Sequence, residues 1–146
     1  EEMKSHYEIK LEKYCQVLNI EVNTMRTMVL KNIVPSTYKY INLIADTQSK
    51  MSRKGMVKGM LSVFKTGDSK DLMSLMGLMM QALSKLNEIQ AAANKKADLL
   101  ERAKTYAQSV LPAMRELRSV ADEIEQYLGL EFKPYPSYDD LLFSVQ

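Results

Sequence analysis

The chain has 146 residues, enough for one domain with a core, and its 46% hydrophobic and 26% charged residues exclude a disordered segment. A net charge of +2 supplies no basic field for nucleic acid, and no apolar run is long enough to span a bilayer. One cysteine, Cys15, and one histidine, His6, can form neither an internal disulfide nor a tetrahedral metal site, which fits a reducing cytoplasm.

The opening Glu1-Glu2-Met3-Lys4 has no signal-peptide pattern and no initiator methionine, so it reads as the start of an excised piece of a longer chain. With 5 Gly, 4 Pro and no Trp, long helices are favoured over strands and turns. From Met3 to about Lys50 the apolar positions Tyr7, Leu11, Tyr14, Leu18, Val22, Met25, Val29 and Ile33 step by four and three. Two rows, Tyr7/Leu18/Val29/Tyr40 and Leu11/Val22/Ile33/Ile44, hold one stripe on a helix of ~70 Å. Both rows run through Pro35, so the proline is read as a kink and not a stop.

Met51 to Gly67 differs. It holds Gly55, Gly59 and Gly67 with Lys54, Lys58 and Lys65, and reads as a connector. A second helix is expected from Asp68 or Ser69 to about Ala93, on Leu72, Met76, Met79, Leu83, Leu86 and Ile89. A turn is expected within Ala91 to Asp98, where Asn94 and Asp98 carry turn or cap chemistry. Leu100, Ala103, Ala107, Val110, Met114, Leu117, Ala121, Ile124 and Leu128 form a heptad stripe through Pro112, and Gly129 ends it. Pro134 and Pro136 force the next segment to be extended, and the apolar tail should dock on the bundle or on another subunit.

The sequence therefore predicts an all-α fold: an antiparallel bundle of three long helices, the first and last kinked at proline, with an extended Pro/Tyr-rich tail. One helical domain is expected over 1–146, with helices at about 3–50, 69–93 and 98–128, a connector at 51–67 and a docked tail at 131–146. His6 lacks a positioned partner and is read as a surface residue; Cys15 sits beside the stripe and is read as a buried, inert thiol. The carboxylates lie on polar helix faces among Lys and Arg, and no phosphate loop or nucleophile elbow occurs. No catalytic, cofactor or metal residue is assigned.

The methionines Met51, Met56, Met60, Met73, Met76, Met79 and Met80 lie near basic residues. They are expected to fill a helix interface while the lysines face water. The competing reading is a stand-alone module that holds amphipathic helices or a membrane surface. The stretch faintly resembles the methionine-rich loop of the signal-recognition-particle protein.

Three segments resemble type III glutamine synthetases. Val110-Leu111-Pro112-Ala113-Met114-Arg115-Glu116-Leu117-Arg118-Ser119-Val120-Ala121-Asp122-Glu123 is similar to a helix of that family. Pro134-Tyr135-Pro136-Ser137-Tyr138-Asp139-Asp140-Leu141-Leu142-Phe143-Ser144-Val145 is similar to its terminus. Asn19-Ile20-Glu21-Val22-Asn23-Thr24-Met25 with Ile33-Val34-Pro35 resembles an earlier helix. The sequence departs from the family at Phe132-Lys133 and at Asp139, where an aromatic and a glycine are usual.

The resemblance implies a C-terminal, non-catalytic domain of a cytoplasmic, ring-forming enzyme of nitrogen metabolism that joins ammonia to glutamate. ATP and a divalent metal, magnesium or manganese, are implied for that parent and lie upstream of this segment. The implied partners are the catalytic domain of the same chain and neighbouring subunits, with no nucleic acid and no membrane. The expected interface residues are Met56, Met60, Phe64, Pro134, Tyr135, Pro136, Tyr138, Leu141, Leu142 and Phe143.

Overall fold

Two internal prolines decide how the helices of this chain are built. The computed structural model describes residues 2–53, 66–136 and 141–142, and among these every regular element is helical and no strand occurs. The fold is all-α, with three helical stretches. The first comprises α1 (Glu2–Met28), a π-helical turn (Val29–Ile33) and α2 (Val34–Arg53). The second is α3 (Thr66–Asn94). The third comprises α4 (Leu99–Thr105), a second π turn (Tyr106–Val110) and α5 (Leu111–Tyr127), and a 3₁₀ turn follows at Leu130–Phe132. Most of the 51–67 connector lies outside the described residues.

Each π turn ends two residues before a proline. Proline has no N–H to donate, and its ring crowds the carbonyl four residues back. For Pro35 and Pro112 those carbonyls belong to Lys31 and Gln108, both inside a π turn. A wider turn, with bonds reaching five residues back, gives the ring room. The Leu111 N–H accordingly donates to the Tyr106 carbonyl.

The break between α3 and α4 is short and closed by backbone and side-chain hydrogen bonds. Lys95 and Lys96 N–H groups donate to the Ala91 and Ala93 carbonyls at 3.3 and 3.2 Å. Asp98 caps α4: its Oδ2 accepts from the Glu101 N–H at 3.0 Å, an interaction of about 1 kcal/mol. Arg102 closes the turn by donating from Nε and Nη2 to the Lys96 carbonyl at 3.0 and 2.7 Å.

The chain divides into two compact units. The first comprises Glu1–Met28 with Leu78–Val120. Its buried apolar side chains include Leu18, Val22, Met79, Leu83, Leu86, Tyr106, Val110, Met114 and Leu117. Downstream of Pro112 the buried positions follow the heptad stripe. Upstream, Ala103 and Val110 are buried as expected, but Tyr106 is buried in place of Ala107, and Leu100 is 38% exposed. Tyr106 lies three residues after Ala103 and four before Val110, so the inward stripe takes its step of three ahead of its step of four.

The second unit comprises Val29–Gly77 with Ala121–Gln146, and buries Val29, Ile33, Ile41, Leu72, Leu75, Met76, Ala121, Ile124 and Leu128. Thr37 is fully buried and satisfies its hydroxyl within its own helix, donating to the Ile33 carbonyl at 2.8 Å. After α5 the chain turns back on α2. The Ser36 hydroxyl donates to the Phe132 carbonyl at 2.6 Å, and the Tyr40 and Phe132 rings meet at 5.3 Å between centroids, tilted by 53°. Gly129 fits beneath both rings: a Cβ there would lie 3.6 Å from Tyr40 and 3.7 Å from Phe132.

Truncation after Gly129 removes Phe132 from Tyr40 and leaves the Ser36 hydroxyl without its acceptor. A loss of about 1–2 kcal/mol is expected, from the half-buried ring plus one hydrogen bond. Thermal melting followed by circular dichroism checks it, and an unchanged midpoint would count against this docking.

Candidate functional site

The polar groups worth examining lie in the first unit, where α1, α3 and the start of the second π turn share a seam. Asn19, Asn23 and Arg26 are spaced by four and three along α1; Asn87, Gln90 and Asn94 are spaced by three and four along α3. Each set therefore lies on one face of its helix, beside the apolar stripe. Gln90 is 5% exposed and Tyr106 is 0% exposed, so neither can rely on water.

Arg26 donates from Nε to Asn87 Oδ1 at 2.8 Å, from Nη2 to Gln90 Oε1 at 2.7 Å and from Nη1 to Asn23 Oδ1 at 3.0 Å. The Gln90 amide donates from Nε2 to Asn19 Oδ1 at 2.8 Å and, more weakly, to Asn23 Oδ1 at 3.4 Å. Asn94 Nδ2 donates to Asn19 Oδ1 at 3.1 Å. The Tyr106 hydroxyl donates to Asn94 Oδ1 at 2.7 Å and lies 3.2 Å from Asn19 Oδ1. Both ends of the Gln90 side chain are thus satisfied, as burial requires.

Beside the seam a cleft of about 160 Å³ is lined by Cys15, Asn19, Asn94 and Arg102 among others. Cys15 is a buried free thiol. Burial pushes its pKa up, against a weaker opposing pull from the Arg102 guanidinium. Burial also raises the Tyr106 phenol, with Cys15 adding to it and the Asn94 hydrogen bond and Arg102 opposing. A nucleophilic thiol needs the opposite environment, one that favours the thiolate. His6 is exposed on α1. Among the described residues no group of three or more His, Cys, Asp or Glu could hold a metal ion. The donor set here does not fit the divalent metal implied for the parent enzyme.

Half of the expected interface residues fall among the described ones. Met56, Met60, Phe64, Tyr138 and Phe143 lie outside the described residues. Pro134 and Tyr135 are half-buried, and Pro136 is exposed. The Tyr135 hydroxyl is buried facing Asn32, without a hydrogen bond of good geometry. Leu141 and Leu142 are 55% and 71% exposed. Of the methionines, Met76 and Met79 are buried while Met73 and Met80 face outward. The sequence pattern does not single out the seam, because asparagine and glutamine beside an apolar stripe ordinarily mark a wet helix face.

Residues 1–52 match the family model of the glutamine synthetase C-terminal domain. The chain is also 34% identical over 146 residues to a glutamine synthetase of Butyrivibrio fibrisolvens, covering 100% of this chain and 21% of that protein. It is 26% identical over 147 residues to a glutamine synthetase of Bacteroides fragilis (strain YCH46), covering 98% of this chain and 20% of that protein. The chain thus spans about a fifth of the length of these curated relatives. The glutamine synthetase likeness runs through both compact units.

Two outcomes follow from the seam. Gln90→Ala strips Arg26 and Asn19 of buried partners and opens a gap, at a cost of about 2–3 kcal/mol; Tyr106→Phe costs about 1 kcal/mol, because exposed Asn94 can turn to water. Urea unfolding of the two variants checks the ranking.

The second outcome concerns pH. The folded state favours the protonated thiol and phenol, so their stabilisation is complete below the free thiol pKa of about 8.5 and is lost as pH rises through the higher folded values. The urea midpoint should fall between about pH 8 and pH 10.5, and Cys15→Ala should flatten the first part of that fall.

Proposed function

We propose that this chain is the C-terminal helical domain of a type III glutamine synthetase, and that it serves assembly and bracing but not chemistry. The similarity to glutamine synthetases over the whole chain carries this reading. The buried thiol and the self-satisfied seam support the non-catalytic part, since the Arg26, Gln90, Asn94 and Tyr106 groups of the seam are already engaged by one another or by Asn19. On this reading the parent, cytoplasmic enzyme ligates ammonia to glutamate with ATP and magnesium or manganese, on residues outside this segment.

On this reading the three helical stretches pack as an antiparallel bundle bent at Pro35 and Pro112. The opposed numbering of the bonds from Asn19 to Asn94 and from Arg26 to Asn87 supports the antiparallel pairing in the first unit. The two π turns support the bends, because π turns are among the identifiable causes of kinks.

The partners are the catalytic part of the same chain and neighbouring subunits of a ring. The tail supplies the contact through Pro134, Tyr135, Pro136, Leu141 and Leu142, joined by Tyr138, Phe143 and the Met56, Met60 and Phe64 stretch. Outward-facing Leu141 and Leu142 support the assignment, since paired exposed leucines cost solvation unless covered. On α1, Val17 and Ile20, 44% and 63% exposed, favour a further covered face.

The purified chain should show no glutamate-dependent ATP turnover, whereas the parent enzyme lacking this segment should lose its large oligomer. Coupled phosphate release and native mass spectrometry check the two halves. Turnover by the chain alone, or an intact oligomer without it, would overturn the reading.

A further inference from the structure

The apolar stripe of α1 does not by itself say where α1 should stop sliding along α3. Leu11, Tyr14, Leu18, Val22, Met25 and Val29 repeat by three and four, so a shift of one turn lays each apolar side chain near the former place of its neighbour. The eleven-residue rows repeat the ambiguity at longer range. Packing alone leaves several registers of similar quality, much as a uniform heptad does in a coiled coil.

The seam breaks that degeneracy. Its rungs are Asn19 with Asn94, Asn23 with Gln90 and Arg26 with Asn87, in one ladder. Gln90 also binds diagonally to Asn19 and Arg26, and so measures the position of α1 from both sides. Tyr106 adds a third element: its hydroxyl meets both Asn94 and Asn19 and fixes the start of the second π turn to the same rung.

We infer that this amide ladder is a register lock, which holds α1, α3 and the Tyr106 turn in one axial alignment among several that the apolar stripes would accept. A one-turn slip of α1 puts Asn23 opposite Asn94 and Arg26 opposite Gln90. It strands Asn19 and Asn87, and it takes Asn19 away from Tyr106. The slip takes Asn19 from the nearly buried Gln90 amide and Asn87 from the Arg26 guanidinium, both part-buried bonds, while the Tyr106–Asn94 bond stays in place, and those losses make it unfavourable. A buried amide pair that selects one alignment at some expense of stability is the best-attested use of polar groups in helical interfaces. The lock does not depend on the proposed enzymatic context; it is a property of the first unit.

Spin labels introduced by Lys13→Cys and Ser84→Cys in a Cys15→Ala background report the axial offset of α1 and α3 in the full chain. Both positions are exposed and outside the ladder. With the ladder intact, one narrow distance is expected. With Asn19→Leu, Asn23→Leu and Gln90→Leu together, the melting transition should persist while the distance splits or broadens by about one helical turn, ~5 Å. A single unshifted distance in the folded triple variant overturns the inference. If the triple variant does not fold, the Asn19→Leu, Gln90→Leu pair is read with the same labels: a broadened distance supports the lock and an unchanged one overturns it.

Discussion

A buried amide must find a partner within the protein or forfeit the hydrogen bonds that water gave it, and Gln90 sets that requirement at the centre of the first unit. Its carbonyl oxygen takes Arg26 and its NH₂ takes Asn19. Those two residues then need partners of their own, which Asn23, Asn87, Asn94 and Tyr106 supply. The chain of obligations joins α1 to α3 and to the second π turn. The surface ion pairs contribute little by comparison: Lys85 with Glu116 at 2.7 Å and Lys104 with Glu101 at 2.9 Å are half-exposed on both sides, and such pairs give about 1 kcal/mol at most.

The prolines impose the other constraint. A helix interrupted by Pro35 or Pro112 must end, lose a hydrogen bond or rearrange its turn, and here the turn ahead of each proline widens. In the second π turn, Tyr106 and Val110 are both fully buried, one at each end of the widened segment. The Tyr106 hydroxyl closes the seam, so one side chain of this turn belongs to both the core and the polar ladder.

Much of the helical content was legible from the sequence, because apolar periodicity reports burial directly. Leu72, Met79, Leu83, Leu86, Leu117, Ile124 and Leu128 were read as stripe positions and are buried. Asp98, read as having cap chemistry, caps α4. The π turns were not legible from the stripe, and the seven residues from Ala103 to Val110 admit either Tyr106 or Ala107 on the inner face; burial goes to Tyr106. The ladder was hidden for a different reason. Asparagine and glutamine on a helix ordinarily mark its wet face, and a pattern scored by hydrophobicity assigns them there; partners over sixty residues away decide otherwise.

The distribution of polar and apolar groups on α1 bears on what the unit is for. A helix meeting only its own bundle and water would place amides outward and aliphatic side chains inward. On α1 several amides point to α3, while Val17, Ile20, Thr24 and Met28 lie together on an outer face, with Ile20 and Met28 flanking an open groove of about 350 Å³. The hydroxyls in that groove bond back to their own helix: Thr24 to the Ile20 carbonyl and Thr27 to the Asn23 carbonyl, each at 3.0 Å. They leave the groove with little unmet donor capacity and its aliphatic groups without cover. Scattered exposed aliphatics need no special reason, but four positions in phase on one helix face form a strip. The seam on one side of α1 and the strip on the other share a single helix, so the position of the strip follows the alignment of α1 on α3.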